Sequence, residues 1–364
     1  MSLQDRDYLI GLRHIPGVGA KTIRLLLDCF HTAEKAWQAG YQELKQVGEL
    51  GDGFIERFLR ARDALALENV LENLTRRDIR TVTILDREYP ASLRLIYDPP
   101  PVLFYQGRWE EERPALAIVG SRRATIYGRK VAEKFGRELA QAGFVIVSGL
   151  ARGIDSAAHE GCLAAQGRTI AVLGSGIDVI YPRENVPLAE RIKENGLVIT
   201  EYPPGTQPHK GHFPARNRII AGLSMGVLIV EAAAQSGALI TADLALEYGR
   251  EVFAVPGPIT SPNSRGTHCL IKQGAKLVDD IGDILEEFML PAVAAPAAGE
   301  NEALALSPEE QALYRHLGWE PVSLETLVEK TGWEASQVQA VLTMLELNGL
   351  IEQIPGRQFI KRSL

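Results

Sequence analysis

Seven short apolar runs follow Pro114 at regular intervals: ALAIVG, FVIVSG, TIAVLGSG, GLVITEY, GVLIVEA, EVFAVPG and AKLVDD. Each is rich in small, β-branched or aliphatic residues, and amphipathic helical stretches separate them. A strand that is apolar on both faces must be covered on both, and strands joined by helices run parallel. The pattern predicts an α/β fold, a Rossmann-like doubly wound parallel sheet over about residues 110–288.

The flanks follow other rules. Residues 5 to about 75 read as helical. In HIPGVGAKTIRLLLDCF a Gly-Val-Gly turn separates two apolar segments, and Ile23, Leu26, Leu27 and Phe30 recur at helical spacing. Two readings stay open for this part. It is either a helix-hairpin-helix, whose turn and Lys21 would face a phosphate, or a helical bundle that only packs on its neighbour. After the strand TVTIL, the segment YPASLRLIYDPPPVLFYQG holds Pro99, Pro100 and Pro101, which forbid helix and favour an extended strap leading into the next domain. MLPAVAAPAAGENEALA is rich in Ala and Pro and aperiodic, which predicts a linker. Three helical stretches and IEQIPGRQFIKR, a strand-turn-strand, then predict a winged helix. The expected division is 1–75, 76–288, a linker at 289–305, and 306–364.

Composition narrows the classes. The 364 residues carry a net charge of −7, which alone argues against a nucleic-acid partner, so any such case rests on local clusters. No apolar run approaches the roughly 20 residues of a membrane span, and the N-terminus lacks a signal-peptide pattern. Cys29, Cys162 and Cys269 are far apart, which fits a reducing cytoplasm, buried apolar roles and no metal site.

Several strands end in glycine beside a small or polar residue: Gly120-Ser121-Arg122, Ser148-Gly149 and Gly174-Ser175-Gly176. Ser236-Gly237 opens a further helix. Ligands of open parallel sheets bind beyond the carboxyl ends of the strands, where glycine admits a phosphate to the backbone. The dinucleotide fingerprint is absent, because GSRRATIYG and GSGIDVIYPREN both break G-x-G-x-x-G. The densest cationic cluster is PHKGHFPARNRIIAGLS, with His209, Lys210, His212, Phe213, Arg216, Asn217 and Arg218. An aromatic ring among cations suits a stacked base flanked by phosphates. Arg216 and Arg218 could each offer a fork, with Arg122 lining the same crevice. The segment from Pro208 to Ile219 thus reads as a grip for single-stranded nucleic acid. The competing reading packs Phe213 under the loop and pairs the arginines with Glu201 or Glu231.

An enzyme reading stays open through Glu231 or Asp178 as a base. The sequence offers no nucleophile–histidine–acid arrangement and no metal-ligand spacing. Asp155 and His159 suit local structural roles, Asp155 as a helix cap. The expected recognition helix, SQVQAVLTMLELNG, contains no Lys or Arg, which favours an auxiliary or protein-contact role for the winged helix over reading DNA.

YPASLRLIYDPPPVLFYQG, VGSRRATIYG, SGLARGIDSAAH, GSGIDVIYPREN, GHFPARNRIIAGLS and EAAAQSGALITADLALEYGREVFAVPG together resemble the DNA-processing protein A (DprA/Smf) family over nearly the whole chain. The resemblance implies a SAM-like helical head, a Rossmann-like core and a winged-helix tail. It implies a non-enzymatic, cofactor-free protein that binds incoming single-stranded DNA in natural transformation, protects it, loads RecA recombinase and forms a homodimer. It places the DNA pocket on Gly120, Ser121, Arg122, Lys210, Phe213, Arg216, Asn217 and Arg218. His268 stands where the family often has Asn, which puts a side-chain role there in doubt.

Overall fold

The computed structural model describes residues 3–110, 113–288, 306–318, 321–354 and 356–361. The linker expected at 289–305 lies outside them.

Six helices come first: α1 (Asp5–His14), α2 (Ala20–Phe30), α3 (Ala33–Gln38), α4 (Tyr41–Lys45), α5 (Asp52–Asp63) and α6 (Leu67–Arg76). Their apolar stripes, including Leu9 and Leu12, Ile23 and Leu26, Ile55 and Phe58, are buried. Gly17 takes φ +83°, the left-handed conformation that the α1–α2 hairpin needs. The same buried cluster continues through Phe104, Leu150 and Val198. The helical head therefore shares its core with the sheet.

The sheet has nine strands: β1 (Arg80–Thr83), β2 (Val102–Gly107), β3 (Ala115–Val119), β4 (Val145–Ser148), β5 (Thr169–Val172), β6 (Leu197–Thr200), β7 (Gly226–Ile229), β8 (Glu251–Ala254) and β9 (Lys276–Leu277). Their spatial order is β1-β2-β6-β5-β4-β3-β7-β8-β9. The seven runs of the sequence form the parallel strands β3 to β9. Strands β3, β4, β6 and β7 are buried throughout, as apolar runs covered on both sides require. The helices are α7 (Ala91–Arg94), α8 (Ile126–Gln141), α9 (Ile154–Ala164), α10 (Val186–Asn195), α11 (His212–Leu223), α12 (Gly237–Glu247), α13 (Arg265–Lys272) and α14 (Ile281–Glu287). The chain winds outward from β3 to β6, then crosses back through α11 to β7. The switch point thus lies between β3 and β7, and the crevice opens beyond their carboxyl ends.

The strap differs from expectation. Its second half is β2, which pairs antiparallel with β6 (Phe104 opposite Thr200) and with β1 (Thr83 opposite Val102). The prolines end just before β2, so they cost it no ladder hydrogen bond.

The C-terminal unit contains α15 (Pro308–Tyr314), β10 (Val322–Ser323), α16 (Leu324–Thr331), α17 (Ala335–Leu347), β11 (Ile351–Ile354) and β12 (Gln358–Lys361). The strands form one sheet in the order β10-β12-β11, completing a winged helix. Ser307 and Ser323 cap α15 and α16, and Gly332 ends α16 in the left-handed region. Of the cysteines only Cys162 is buried, and Cys29 and Cys269 are exposed. The expectation of three buried thiols is corrected for those two.

Candidate nucleic-acid interface

Phe213 is carried by a helix, not by the loop its sequence suggests. Gly211 precedes α11, and Pro214 occupies its third position. Proline is tolerated in a first turn because the N–H it lacks would have had no partner inside the helix. This end of α11 lies over the carboxyl ends of the strands. A side chain at Gly174, just beyond β5, would come within 3.0 Å of the Phe213 ring. Arg122, just beyond β3, lies with its guanidinium carbon 4.9 Å from the ring centre. Tyr181 closes the group, 5.6 Å from Phe213 between ring centres and 45% exposed. Phe213 is half-buried, while Arg122 and Lys210 are exposed. The result is an aromatic face edged by cations, open to solvent.

The expectation missed Tyr181, which reads in sequence as an interruption of a glycine motif. The available signal was its tyrosine-proline pair at the end of a glycine-rich loop.

Beneath this surface the arginines are committed inward. Arg216 is 4% exposed. It donates from Nη1 to the carbonyls of Gly149, at 2.6 Å, and Val172, and lies 3.9 Å from Asp155. Burial pulls its guanidinium down to about 10, with Asp155 opposing the shift. Arg216 is therefore still a cation at neutral pH. Arg218 is 8% exposed and pairs with Glu201 at 2.7 Å, and with Asp98 at 3.7 Å. Its expected phosphate fork is corrected: the competing pairing with Glu201 is the one found. Asn217 donates to the Gly237 carbonyl at 3.3 Å and accepts from Arg216 at 3.0 Å, so it links the cleft to the start of α12.

The glycine-ended strands also need correction. Ser148 is buried, with its hydroxyl donating to the Ile118 carbonyl. The Gly149 N–H is taken by Asp155 and the Gly176 N–H by the Thr206 carbonyl. Gly174 lies buried beneath Phe213. These four glycine and serine positions admit protein, not phosphate. A Cβ at Gly149, for instance, would stand 2.0 Å from the Arg216 guanidinium. Gly120 and Ser121 shape the turn that projects Arg122: Ser121 donates its N–H to the Glu231 carbonyl at 2.7 Å. Ser236 and Gly237 are different. Ser236 caps α12, and nothing lies within 4 Å of a Cβ built at Gly237. Space therefore remains at Gly237, although the Ala238 and Leu239 N–H groups are already bonded to Ser236.

The suggested catalytic groups have structural partners. Both Glu231 oxygens accept from Thr125, from its N–H at 2.9 Å and its hydroxyl at 2.5 Å. Asp178 accepts from the Gly205 N–H and from Arg77. Asp155 lies in the first turn of α9, where Gly153 is the cap. It holds the preceding loop through the Gly149 and Ala151 N–H groups, and burial raises its carboxyl. His159 is fully buried against Thr169, and burial pulls it down to about 3. His268 bonds the Gly257 carbonyl at 2.9 Å. Among the described residues, no group of His, Cys, Asp or Glu is gathered as a metal site, and no helix is long and apolar enough to cross a membrane.

Fold and rim define a doubly wound α/β protein with an aromatic–arginine cleft at the ligand end of its sheet and a winged helix appended. A family model described as DNA recombination-mediator protein A matches residues 80–289, and the DprA winged helix domain matches residues 294–357. The chain belongs to the DprA/Smf family. Protein Smf of Synechocystis is 36% identical over the full length of both chains. The DNA processing protein DprA of Bacillus subtilis is 47% identical over 61% of this chain and 75% of its own. The X-ray structure of DNA processing protein A from Streptococcus pneumoniae superposes with a TM-score of 0.69 at 40% identity, covering 79% of this chain and 99% of that one. The Helicobacter pylori counterpart, described for its single-stranded DNA binding mode, superposes with a TM-score of 0.53 at 33% identity, covering 58% and 96%.

Proposed function

We propose that this protein binds single-stranded DNA without sequence preference, protects it and loads RecA recombinase onto it during natural transformation, as a non-enzymatic homodimer in the cytoplasm. The observation that carries the reading is the exposed Arg122 set against the half-buried Phe213 ring at the carboxyl rim of the sheet. A base stacks on an aromatic face whatever its identity, and adjacent cations neutralise phosphates. Family membership and the DNA binding described for the Helicobacter pylori relative support it. In this reading Arg122, Lys210 and Phe213 touch the strand, joined by Tyr181. Gly120 and Ser121 aim Arg122, while Arg216, Asn217 and Arg218 hold α11 in place. Ser236 and Gly237 offer a phosphate site. In this reading the domains are 1–75 (SAM-like), 76–288 (Rossmann-like) and 306–364 (winged helix), with 289–305 outside the described residues. A dimer would hold one strand at two clefts and raise apparent affinity without new contacts.

Fluorescence anisotropy with labelled oligothymidylate tests this. The expected result is tight, salt-dependent binding by the parent and weaker binding by Arg122→Ala and Phe213→Ala. Parent-like binding by both variants would refute the cleft. The alternative, a nucleotide-processing enzyme, is disfavoured because Thr125 holds both oxygens of Glu231. Turnover of nucleoside monophosphates in a chromatographic assay would revive it.

A further inference from the structure

A second aromatic–arginine pair lies farther along the same rim. Tyr97 is 79% exposed, more than Tyr181 in the cleft. Its backbone is pinned, because its carbonyl accepts from Arg24 Nη1 at 2.9 Å and Pro99–Pro101 follow. The Arg24 guanidinium carbon also lies 5.1 Å from the Tyr97 ring centre. An arginine thus flanks an exposed ring, as Arg122 flanks Phe213 at 4.9 Å. An exposed ring on a fixed backbone loses little entropy when it takes a partner.

The topology puts this pair in line with the cleft. Strand β2 runs antiparallel to β6, so the residues that precede β2 lie at the carboxyl end of β6. Crossing the rim from β5 to β2 meets Gly174 under Phe213, then Tyr202 beyond β6, then Asp98 and Tyr97. Beneath the gap, buried groups brace the rim: Tyr202 stacks on His212 at 4.1 Å, and the buried Arg13 guanidinium carbon lies 5.4 Å from the Tyr202 ring centre. Two acidic groups beside the cleft end of this stretch, Asp98 and Glu201, are both engaged by Arg218. A phosphate backbone laid past them meets carboxylates that are already paired.

We infer that Tyr97 and Arg24 form a second stacking platform for the same single strand, so that the strand runs along the rim from Phe213 to the helical head. The inference rests on the single-strand reading of the Phe213 cleft. It assigns the helical head a direct part in binding, through Arg24 on α2. A mononucleotide cannot reach both platforms, whereas an oligonucleotide can.

The test compares oligothymidylates of increasing length with the full chain and its Tyr97→Ser, Tyr97→Phe and Phe213→Ala variants. Tyr97→Ser is expected to weaken binding of long oligothymidylates about tenfold. It should leave the shortest bound oligothymidylate unaffected, and Tyr97→Phe should keep parent affinity. Phe213→Ala should weaken binding at every length. A loss in Tyr97→Ser that is absent or equal at all lengths would overturn the second platform while leaving the cleft standing. A parent that binds no oligothymidylate would remove the cleft and the platform together. Photo-crosslinking with 5-iododeoxyuridine oligonucleotides gives an independent reading. An adduct on the Tyr97 peptide supports the platform, and adducts confined to the Tyr181 and Phe213 peptides contradict it.

Discussion

Arg122 leaves the end of β3 and lays its guanidinium carbon 4.9 Å from the centre of the Phe213 ring, which the first turn of α11 delivers from across the sheet. The two residues are joined by the doubly wound topology alone. One follows the strand at the switch point, and the other begins the helix that returns the chain to it. Arg122 brings charge and Phe213 a stacking face, and the two contributions separate experimentally.

Phe213→Ala removes the face and keeps the cations. Affinity for oligothymidylate is expected to fall about tenfold, with the salt dependence unchanged. Phe213→Trp should retain binding. Anisotropy titrations at several salt concentrations read both quantities.

Arg122→Gln removes a cation and keeps the face. The slope of log K against log salt is expected to shrink by about 0.7, because one fewer phosphate of the single strand is neutralised. Lys210→Gln should do the same. An unchanged slope in either variant would place that cation away from the backbone.

The inward arginine behaves differently. Arg216→Met leaves Asp155 buried without its cation, 3.9 Å from where the guanidinium stood, and strips the Gly149 carbonyl of its donor. The expected loss of stability is about 3–5 kcal/mol. The Arg216→Met, Asp155→Asn double variant should regain part of it. Urea midpoints of the parent and the variants measure this. Gly149→Ala should destabilise at the same place, since its Cβ would meet the guanidinium, whereas Gly237→Ala should be tolerated.

His159 gives the protein an acid-side liability. Its ordinary value is 6.5, and burial pulls it down to about 3 in the fold. Between those values the unfolded chain takes a proton that the folded chain refuses. Its contribution is therefore intact above pH 6.5 and is lost as pH falls toward 3, at about 1.4 kcal/mol per pH unit. His159→Gln should flatten urea stability between pH 6.5 and pH 5 by that slope. Parallel profiles for parent and variant would contradict the assignment.

The central parallel strands were legible because burial on both faces leaves unbroken apolar runs such as ALAIV and LVIT. Strand β2 was not. Its partner β6 lies some ninety residues later in the chain, and the three prolines before it mask it as irregular chain. The cleft was half legible. Arg122 and Phe213 announce themselves by type and context, but sequence cannot tell an arginine that faces water from one folded inward. Arg218 meets Glu201 and Arg216 meets Gly149 only after the strands are aligned. The strand-end glycines misled for the same reason: the close approach they permit is made by Phe213 and Arg216 themselves. Tyr181 and Tyr97 were passed over because each sits in a proline-containing stretch, without periodicity to mark an exposed ring.

A structure of the protein with a short oligothymidylate tests the central claim most directly. The expected density shows a thymine stacked on Phe213 with a neighbouring phosphate within hydrogen-bond reach of Arg122. A strand bound elsewhere, on the face of α17 for instance, with the Phe213 ring left bare, would contradict it.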